Sequence, residues 1–295
     1  MTNFTDMAFV ILHYMVDEDT VECVESIRKW IDTESYKIIL VDNCSPNDSF
    51  EKLKLRYENS SDVILIHNDS NLGFAKGNNV GYIYAKNQLN ARFVVLMNND
   101  IMLIEPDLFK KVNEEYQNTG FAVLGPMIFT KDGTCNSNPY RSSPLSIDDV
   151  NYLIKDLKRR LFWAKYHGES IYQKLFKPRD VTKSHKPNDF IFKQENVCLH
   201  GCFLVFSDLY LNKYNGLNEN TFLYVEEDIL YWEMMRDGMK TVYLPEIRIF
   251  HKEDSATKAA TKSKRTKRLF VYSNLINSLY VLKEEMEKDN YEYKV

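Results

Sequence analysis

Three adjacent carboxylates, Glu226, Glu227 and Asp228, form the densest group of candidate catalytic residues and follow the aromatic string FLYV. A carboxylate in a partly apolar pocket can act as a base towards a hydroxyl group, because burial raises its pKa. The same run would also be stable as the first turn of a helix, where the helix dipole favours negative charge. The sequence leaves both interpretations open.

Two further sites have the side-chain chemistry of a divalent-cation site. The apolar string VVLM ends on Asn98, Asn99 and Asp100, and the strand-like string RIF ends on His251. Mg²⁺ and Mn²⁺ commonly use one or two carboxylates together with substrate phosphates, and a neutral imidazole can complete such a shell. Asn-Asn-Asp is also good turn chemistry, and a single histidine is usually structural.

Asp42 stands at the end of the apolar string IILV. A carboxylate there can accept the ring N–H of uracil or thymine. Capping of the next helix would account for Ser45 and Asn47, but not for a charge directly on the strand end. We interpret Asp42 as a base-recognition residue.

The string NLGFAKGNN, residues 71–79, has the character of a phosphate-binding loop. Gly73 and Gly77 allow close backbone approach to a ligand, Lys76 adds a cation, and the following helix offers free N–H groups. The spacing matches neither G-x-G-x-x-G nor the Walker A pattern, which argues against a nicotinamide enzyme or an NTPase.

Strands and helices alternate through the first 130 residues and would carry these groups to one place. The strand-like strings are MAFVILHY, YKIILVDN, DVILIHN and RFVVLMNND, and the helix-like strings between them are TVECVESIRKWI, SFEKLKLRYEN and GNNVGYIYAKNQL. This alternation predicts an α/β fold with a doubly wound, mostly parallel sheet. Ligands of such sheets bind at the carboxyl ends of the strands. The candidate strand ends are His13/Tyr14, Asp42/Asn43 and Asn98–Asp100.

The second half of the chain has a looser pattern. We predict a loop over 133–150, basic helices with interleaved aromatic residues over 150–177, and strands at FIF and CFLVF. A helix should begin at the acidic run and end at Gly238, followed by strands in TVYLPEIRIFH and a terminal helix over 266–288.

Charge and cysteine content narrow the function classes. The chain has 295 residues and a net charge of −4, which argues against nucleic-acid binding as its main role. Residues 155–193 contain eleven Lys/Arg and four Asp/Glu, and residues 252–268 contain seven and two, so both stretches either face an anion or are solvated loops.

Five scattered cysteines suggest reduced thiols in a reducing compartment. Cys198 and Cys202 flank His200, but their apolar surroundings favour buried residues over a zinc site. The sequence shows neither a signal peptide nor a membrane span, so we expect a cytoplasmic protein, soluble or peripherally attached to the membrane.

Taken in order, the motifs resemble those of the inverting family 2 glycosyltransferases with a GT-A fold, and most of all their rhamnosyltransferase-like branch, which builds bacterial surface polysaccharides. The matching strings span residues 8–255 and are VDNCSPND, NLGFAKGNN, LMNND, GCFLVF, FLYVEEDILYW…RDG and the His…Ser that follows.

The resemblance implies a role for each motif. Asp228 would be the catalytic base, and Asp100 and His251 would bind Mn²⁺ or Mg²⁺. The donor, a UDP- or dTDP-sugar, and the acceptor, a glycan or lipid-linked oligosaccharide, would each contact a set of side chains. The donor set is Tyr14, Asp42, Asn71, Gly73, Lys76, Gly77, Asn78 and Asn98, and the acceptor set is Glu227 and Trp232.

It also implies a division of the chain. Residues 1–130 would form the nucleotide-sugar-binding half and residues 131–265 the acceptor-binding and catalytic half, with a basic helical insertion over 150–193. Residues 266–295 would form a C-terminal helix. As a hypothesis, the insertion lies on the acceptor side and makes peripheral contact with the inner face of the plasma membrane.

Two departures from the family pattern leave other functions open. The D-x-D motif is reduced to Asn98-Asn99-Asp100, and position 230 is Leu where a second carboxylate is common. These losses support a catalytically inactive binding protein on a transferase fold. A sugar nucleotidyltransferase would need a Gly-rich basic loop after the first strand, where this chain has the acidic HYMVDEDT.

Overall fold

Four parallel strands carry the first third of the chain in the computed structural model, which describes residues 4–166, 172, 181, 189–253 and 264–288. The strands stand in the order β3-β2-β1-β4. The apolar runs of β1, β2 and β4 are buried because helices cover both faces of the sheet, whereas the edge strand β3 is mostly half-buried. They are β1 (Thr5–His13), β2 (Tyr36–Asp42), β3 (Val63–His67) and β4 (Ala91–Asn98). The connecting helices are α1 (Asp17–Trp30), α2 (Ser49–Tyr57) and α3 (Phe74–Asn87). The predicted α/β fold is confirmed.

The second half extends the same sheet with strands of both directions. They are β5 (Ile101–Leu103), β6 (Val123–Thr130), β7 (Gln194–Glu195), β8 (Phe203–Phe206) and β9 (Thr241–His251). β8 lies antiparallel between β4 and β6, and β9 runs parallel to β6. β5 and β7 both pair antiparallel with β9. The sheet is therefore mixed beyond β4.

The other helices within the described ranges are α4 (Leu108–Thr119), α5 (Ile147–Lys165), α6 (Asp208–Lys213), α7 (Glu226–Arg236) and α8 (Lys264–Lys288). α7 begins at the acidic run, as predicted. The strand predicted at FIF is wrong, because Asp189–Ile191 forms a 3₁₀ turn. Only Phe190 of that string is buried, while Ile191 and Phe192 are exposed and have no strand-like pairing. Most of residues 167–188 of the predicted basic insertion, and all of 254–263, lie outside the described residues.

Strand alternation divides the core into two layers. Phe9 and Ile11 pack under α1, α2 and α4, and Ala8 and Val10 pack on the opposite face with α3 and α6. A third apolar cluster joins α5, α7 and α8. The predicted burial of Cys198 and Cys202 is confirmed. None of the helices in the described ranges has the length and apolarity of a bilayer span.

Candidate active site

The first pair of candidate residues, Asp100 and His251, meets where β5 pairs with β9. Ile101 lies opposite His251 in that ladder, and the backbone N–H of Lys252 donates to the carbonyl of Asp100 over 3.0 Å. The Oδ1 atom of Asp100 lies 3.3 Å from Nε2 of His251. This oxygen is buried and accepts no hydrogen bond from the part of the chain that the structure describes. Leaving a buried acceptor without a hydrogen bond is unfavourable in free energy, and this indicates that a bound ion or water contacts Oδ1.

This donor set fits a divalent cation that also binds a substrate. One carboxylate oxygen and one imidazole nitrogen are suitable ligands for Mn²⁺ or Mg²⁺. No third His, Cys, Asp or Glu completes a cation site within the described part of the chain. The other positions would therefore have to come from phosphate oxygens and water.

Of the two asparagines that precede Asp100, Asn99 is buried and structural. Its amide donates to the carbonyl of Val16 over 3.3 Å and to Oγ1 of Thr20 over 3.1 Å. These bonds fix the turn after β4 against the start of α1. Asn98 is half-buried at the strand end.

Asp228 lies in the first turn of α7 with its side chain almost fully buried. Arg141 donates from Nε to Oδ1 of Asp228 over 2.8 Å. Burial raises the pKa of Asp228 to about 6, although the Arg141 charge lowers it and the Glu227 charge raises it further. Such a carboxylate is ionised at neutral pH, yet it is a stronger base than an ordinary aspartate.

The chain enters α7 through two strained residues. Tyr224 and Val225 both have left-handed backbone angles, with φ of 72° and 71°. This region is unfavourable for a bulky or β-branched residue. Strain of this kind persists only where the surrounding structure enforces it, and it is commonly found at functional sites.

The two glutamates of the acidic run have other environments. Glu227 accepts through Oε1 from the backbone N–H of Gly201 over 3.2 Å, and a Cβ on Gly201 would lie 2.7 Å from that oxygen. Glu226 is buried, its Oε1 has no hydrogen-bond partner among the residues described, and burial raises its pKa to about 8. Asp228 is thus the carboxylate of the run that pairs with a guanidinium.

Two short segments, residues 138–141 and 198–200, lie between Asp228 and the pair of Asp100 and His251. The N–H of Tyr140 donates to the carbonyl of Cys198 over 2.7 Å, and the N–H of His200 donates to Oδ1 of Asn138 over 2.9 Å. The His200 ring lies edge-on to the rings of Tyr140 and His251, at centroid distances of 6.2 and 6.1 Å. Contacts through Arg141, Tyr140 and His200 therefore link Asp228 to Asp100 and His251.

The carboxylate of Asp42 is not presented at the strand end as predicted. Its side chain is fully buried, and Oδ2 lies 2.8 Å from Nδ1 of His67 and accepts from the N–H of Ser45 over 3.1 Å. The residue accessible here is His67, whose ring stacks on Phe50 at 4.9 Å.

Of the predicted loop over 71–79, residues 74–79 belong to α3, and the part before the helix is held in place by Asn43. Its amide donates to Oδ1 of Asn71 over 3.1 Å and to the carbonyl of Gly73 over 3.0 Å, and its Oδ1 accepts from the N–H of Leu72 over 3.0 Å. Gly73 has φ of 79°, and a Cβ there would lie 2.3 Å from the carbonyl oxygen of Phe222.

The residues of the motif that lie in α3 divide into buried and exposed positions. A Cβ on Gly77 would meet Leu12 at 2.8 Å, and Asn78 is buried and bonds to the carbonyl of Phe74. Close packing therefore explains Gly77 and Asn78 without a ligand. Lys76 is exposed, and Tyr14 is half-buried after β1.

Residues 9–204, about two thirds of the chain, match the pattern of the family described as "Glycosyl transferase family 2". The chain belongs to glycosyl transferase family 2.

Individual relatives agree with this membership. The family 2 chain is 24% identical over 143 residues to the low-salt glycan biosynthesis hexosyltransferase Agl10 of Haloferax volcanii. The match covers 48% of this chain and 42% of that protein, so the chain spans less than half of that relative's length.

Solved structures of S. aureus TarS share the fold. One has a TM-score of 0.52 at 12% identity and covers 84% of this chain and 37% of TarS. The structure of TarS 1–349 in complex with UDP-GlcNAc gives the same TM-score and identity, with 92% and 65% covered.

Among the predicted acceptor residues of the family 2 chain, Trp232 has the position of a core residue. It is buried in the apolar cluster of α5, α7 and α8. Sequence reasoning did not single out Arg141, and it assigned His200 only to an apolar run. Both owe their place to contacts between distant segments, which leave no local signal.

Proposed function

We propose that this chain transfers a hexosyl or rhamnosyl residue from a UDP- or dTDP-sugar to a hydroxyl of a glycan or lipid-linked acceptor, with inversion. Family membership, the hexosyltransferase relative and the fold shared with a protein solved with UDP-GlcNAc support this proposal. The observation that carries it is the continuity of Asp228–Arg141 with Asp100–His251 through Tyr140 and His200.

Asp228 acts as the base of a single displacement. Arg141 holds Oδ1, which leaves Oδ2 to take the proton from the acceptor hydroxyl. The acceptor oxygen forms its bond to the anomeric carbon as the bond to the diphosphate breaks, and the electron pair leaves with the diphosphate. Attack opposite the leaving group inverts the anomeric centre.

Asp100 and His251 would hold the divalent cation. When bound, Mn²⁺ or Mg²⁺ would stabilise the negative charge of the departing diphosphate. The orphaned Oδ1 of Asp100 is the protein ligand that this role needs. Exposed Lys76 supplies further positive charge from the first turn of α3.

The base of the donor, uracil or thymine, lies at the carboxyl ends of β1 and β2, near Tyr14 and His67. Asp42 takes part through His67, since its carboxylate fixes that ring. The remaining donor contacts come from Asn71, Gly73 and Asn98 along the same edge.

The proposed setting is bacterial surface-polysaccharide synthesis on the cytoplasmic side of the membrane. Exposed Phe162 and Tyr166 near the end of α5 lie close to basic residues, since Arg265 of α8 donates to the carbonyl of Lys165 over 2.8 Å. Aromatic and basic residues together suit the surface of an anionic bilayer. Equal binding of wild-type protein and a Phe162→Ser/Tyr166→Ser variant to anionic liposomes would exclude this contact.

The two other functions are less well supported. The segment after β1 leads directly into α1, whose first turn contains Asp17, Glu18 and Asp19. This acidic start lacks the basic loop expected of a nucleotidyltransferase. An inactive binding protein would bind the donor but would not turn it over.

A transfer assay with the Asp228→Asn variant tests the proposal. Wild-type protein is supplied with UDP- and dTDP-sugars and a panel of glycan acceptors, and NMR gives the anomeric configuration of the product. The rate of transfer by the variant should be about 10²–10⁴-fold lower than that of the wild type, while its affinity for the donor is retained. Undiminished transfer by the variant, or a product with retained configuration, would refute the mechanism.

A further inference from the structure

Arg141 has donor capacity that its contact with Asp228 does not use. Its side chain is 12% exposed, and Nε serves Asp228. Nη1 is buried and has no hydrogen-bond partner among the described residues. A guanidinium carries five N–H donors in a planar fork, and burying one of them without an acceptor is unfavourable.

Neighbouring carboxylates do not supply the missing acceptor. Glu227 already accepts through Oε1 from the N–H of Gly201, and Oδ1 of Asp228 accepts from Nε of Arg141. When Asp228 takes the proton of the acceptor hydroxyl, its charge disappears while that of Arg141 remains. The buried guanidinium then loses the charge of its hydrogen-bonded partner at the moment of reaction.

Tyr140 places an aromatic surface beside this guanidinium. Its side chain is 44% exposed, and the guanidinium carbon of Arg141 lies 5.0 Å from its ring centroid. The backbone on both sides is fixed by pairing with Cys198, and the ring edge rests on His200. An exposed ring held in this way provides a preorganised apolar platform for a ligand.

From these contacts we infer that Arg141 and Tyr140 form an acceptor subsite for an anionic group, a carboxylate or a phosphate, next to the reacting hydroxyl. The inference rests on the proposed function. The planar fork suits two oxygens of one anionic group, and Tyr140 packs against the sugar or polyol that carries it. The acceptor class is therefore a glycan containing uronic acid, or one containing phosphate.

Paired probes test this subsite by saturation-transfer NMR in the presence of UDP and Mg²⁺, which occupy the donor site. Methyl β-glucuronide is compared with methyl β-glucoside, and glycerol 3-phosphate with glycerol. At least one anionic probe should bind about tenfold more tightly than its neutral partner. The pair that shows the preference identifies the source of the charge.

Two substitutions assign the preference to the guanidinium. Arg141→Gln should reduce binding of the anionic probe to that of its neutral partner, and Arg141→Lys should restore it only in part. Arg56→Gln, on the surface of α2 with its own partner Glu25, is the matched control and should leave the preference unchanged.

The inference is overturned if charged and neutral probes bind equally, if neither anionic probe binds, or if Arg141→Gln keeps the preference in a protein with unaltered circular dichroism. UDP binding is measured separately. If the charge preference depends on Arg141 but UDP does not bind, the subsite stands and the proposed donor is wrong. If UDP binds but no charge preference is seen, the proposed donor stands and the subsite is wrong.

Discussion

Oδ1 of Asp100 and Nε2 of His251 lie 3.3 Å apart, although the two residues belong to opposite halves of the chain. The antiparallel ladder between β5 and β9 sets this distance, because Ile101 is paired with His251. A three-residue strand at the sheet edge thus joins the end of β4 to the end of β9. Asp100 and His251 are therefore close enough to bind one cation between them, as proposed.

The pH dependence of transfer should report Asp228. The base must be ionised, so kcat/KM should fall as the pH drops through about 6, well above the ordinary pKa of an aspartate. Arg141 lowers this pKa, so Arg141→Gln should move the acidic limb upward by about one pH unit. A limb near pH 4, or one that does not move in the variant, would contradict the assignment.

Glycine should be required at position 73 for two reasons: its backbone is left-handed, and a Cβ there would collide with Phe222. Gly133 has the same φ of 79°, but a Cβ there meets nothing within 4 Å. Both Gly73→Ala and Gly133→Ala incur the conformational cost, and only the first forces Phe222 to move. We expect Gly73→Ala to be about 2 kcal/mol less stable than Gly133→Ala in urea unfolding, and to weaken UDP binding. Equal losses would refute the role of this contact.

Glu226 should make the folded protein less stable as the pH rises. Its folded-state pKa of about 8 lies above the unfolded value of 4.5, so the unfolded chain releases the proton first. Stability is therefore lost as the pH rises from about 4.5 through 8. Glu226→Gln removes the buried charge and should raise the Tm at pH 9 by several degrees, with little change at pH 5. The same shift at both values would exclude this explanation.

Much of the fold could be predicted because its signals are local. The apolar runs that became β1 to β4 are continuous, so strand type and the carboxyl-edge positions of Asp100 and Asp42 followed directly. The antiparallel insertion of β8 between β4 and β6 could not be predicted, since its four apolar residues carry no mark of direction.

The site was less accessible to sequence reasoning, because several side chains obtain their roles from distant partners. Arg141 reaches Asp228 only because its backbone pairs with Cys198. Asp42 is buried, and its carboxylate is hydrogen-bonded to His67 of the next strand. The sequence does not show whether Trp232 of α7 faces the substrate or the core. In the structure it packs against α5 and α8 and is therefore a core residue.

The central claim is that Asp100 and His251 bind a nucleotide diphosphate through a cation, while Asp228 serves the chemistry. Thermal unfolding with UDP, with and without Mn²⁺, tests it on wild-type, Asp100→Asn and Asp228→Asn proteins. UDP with Mn²⁺ should raise the Tm of the wild type and of Asp228→Asn by about 5 °C at saturation. Asp100→Asn should lose the Mn²⁺-dependent part of that shift. The absence of any shift in the wild type, or an equal shift in Asp100→Asn, would contradict the account.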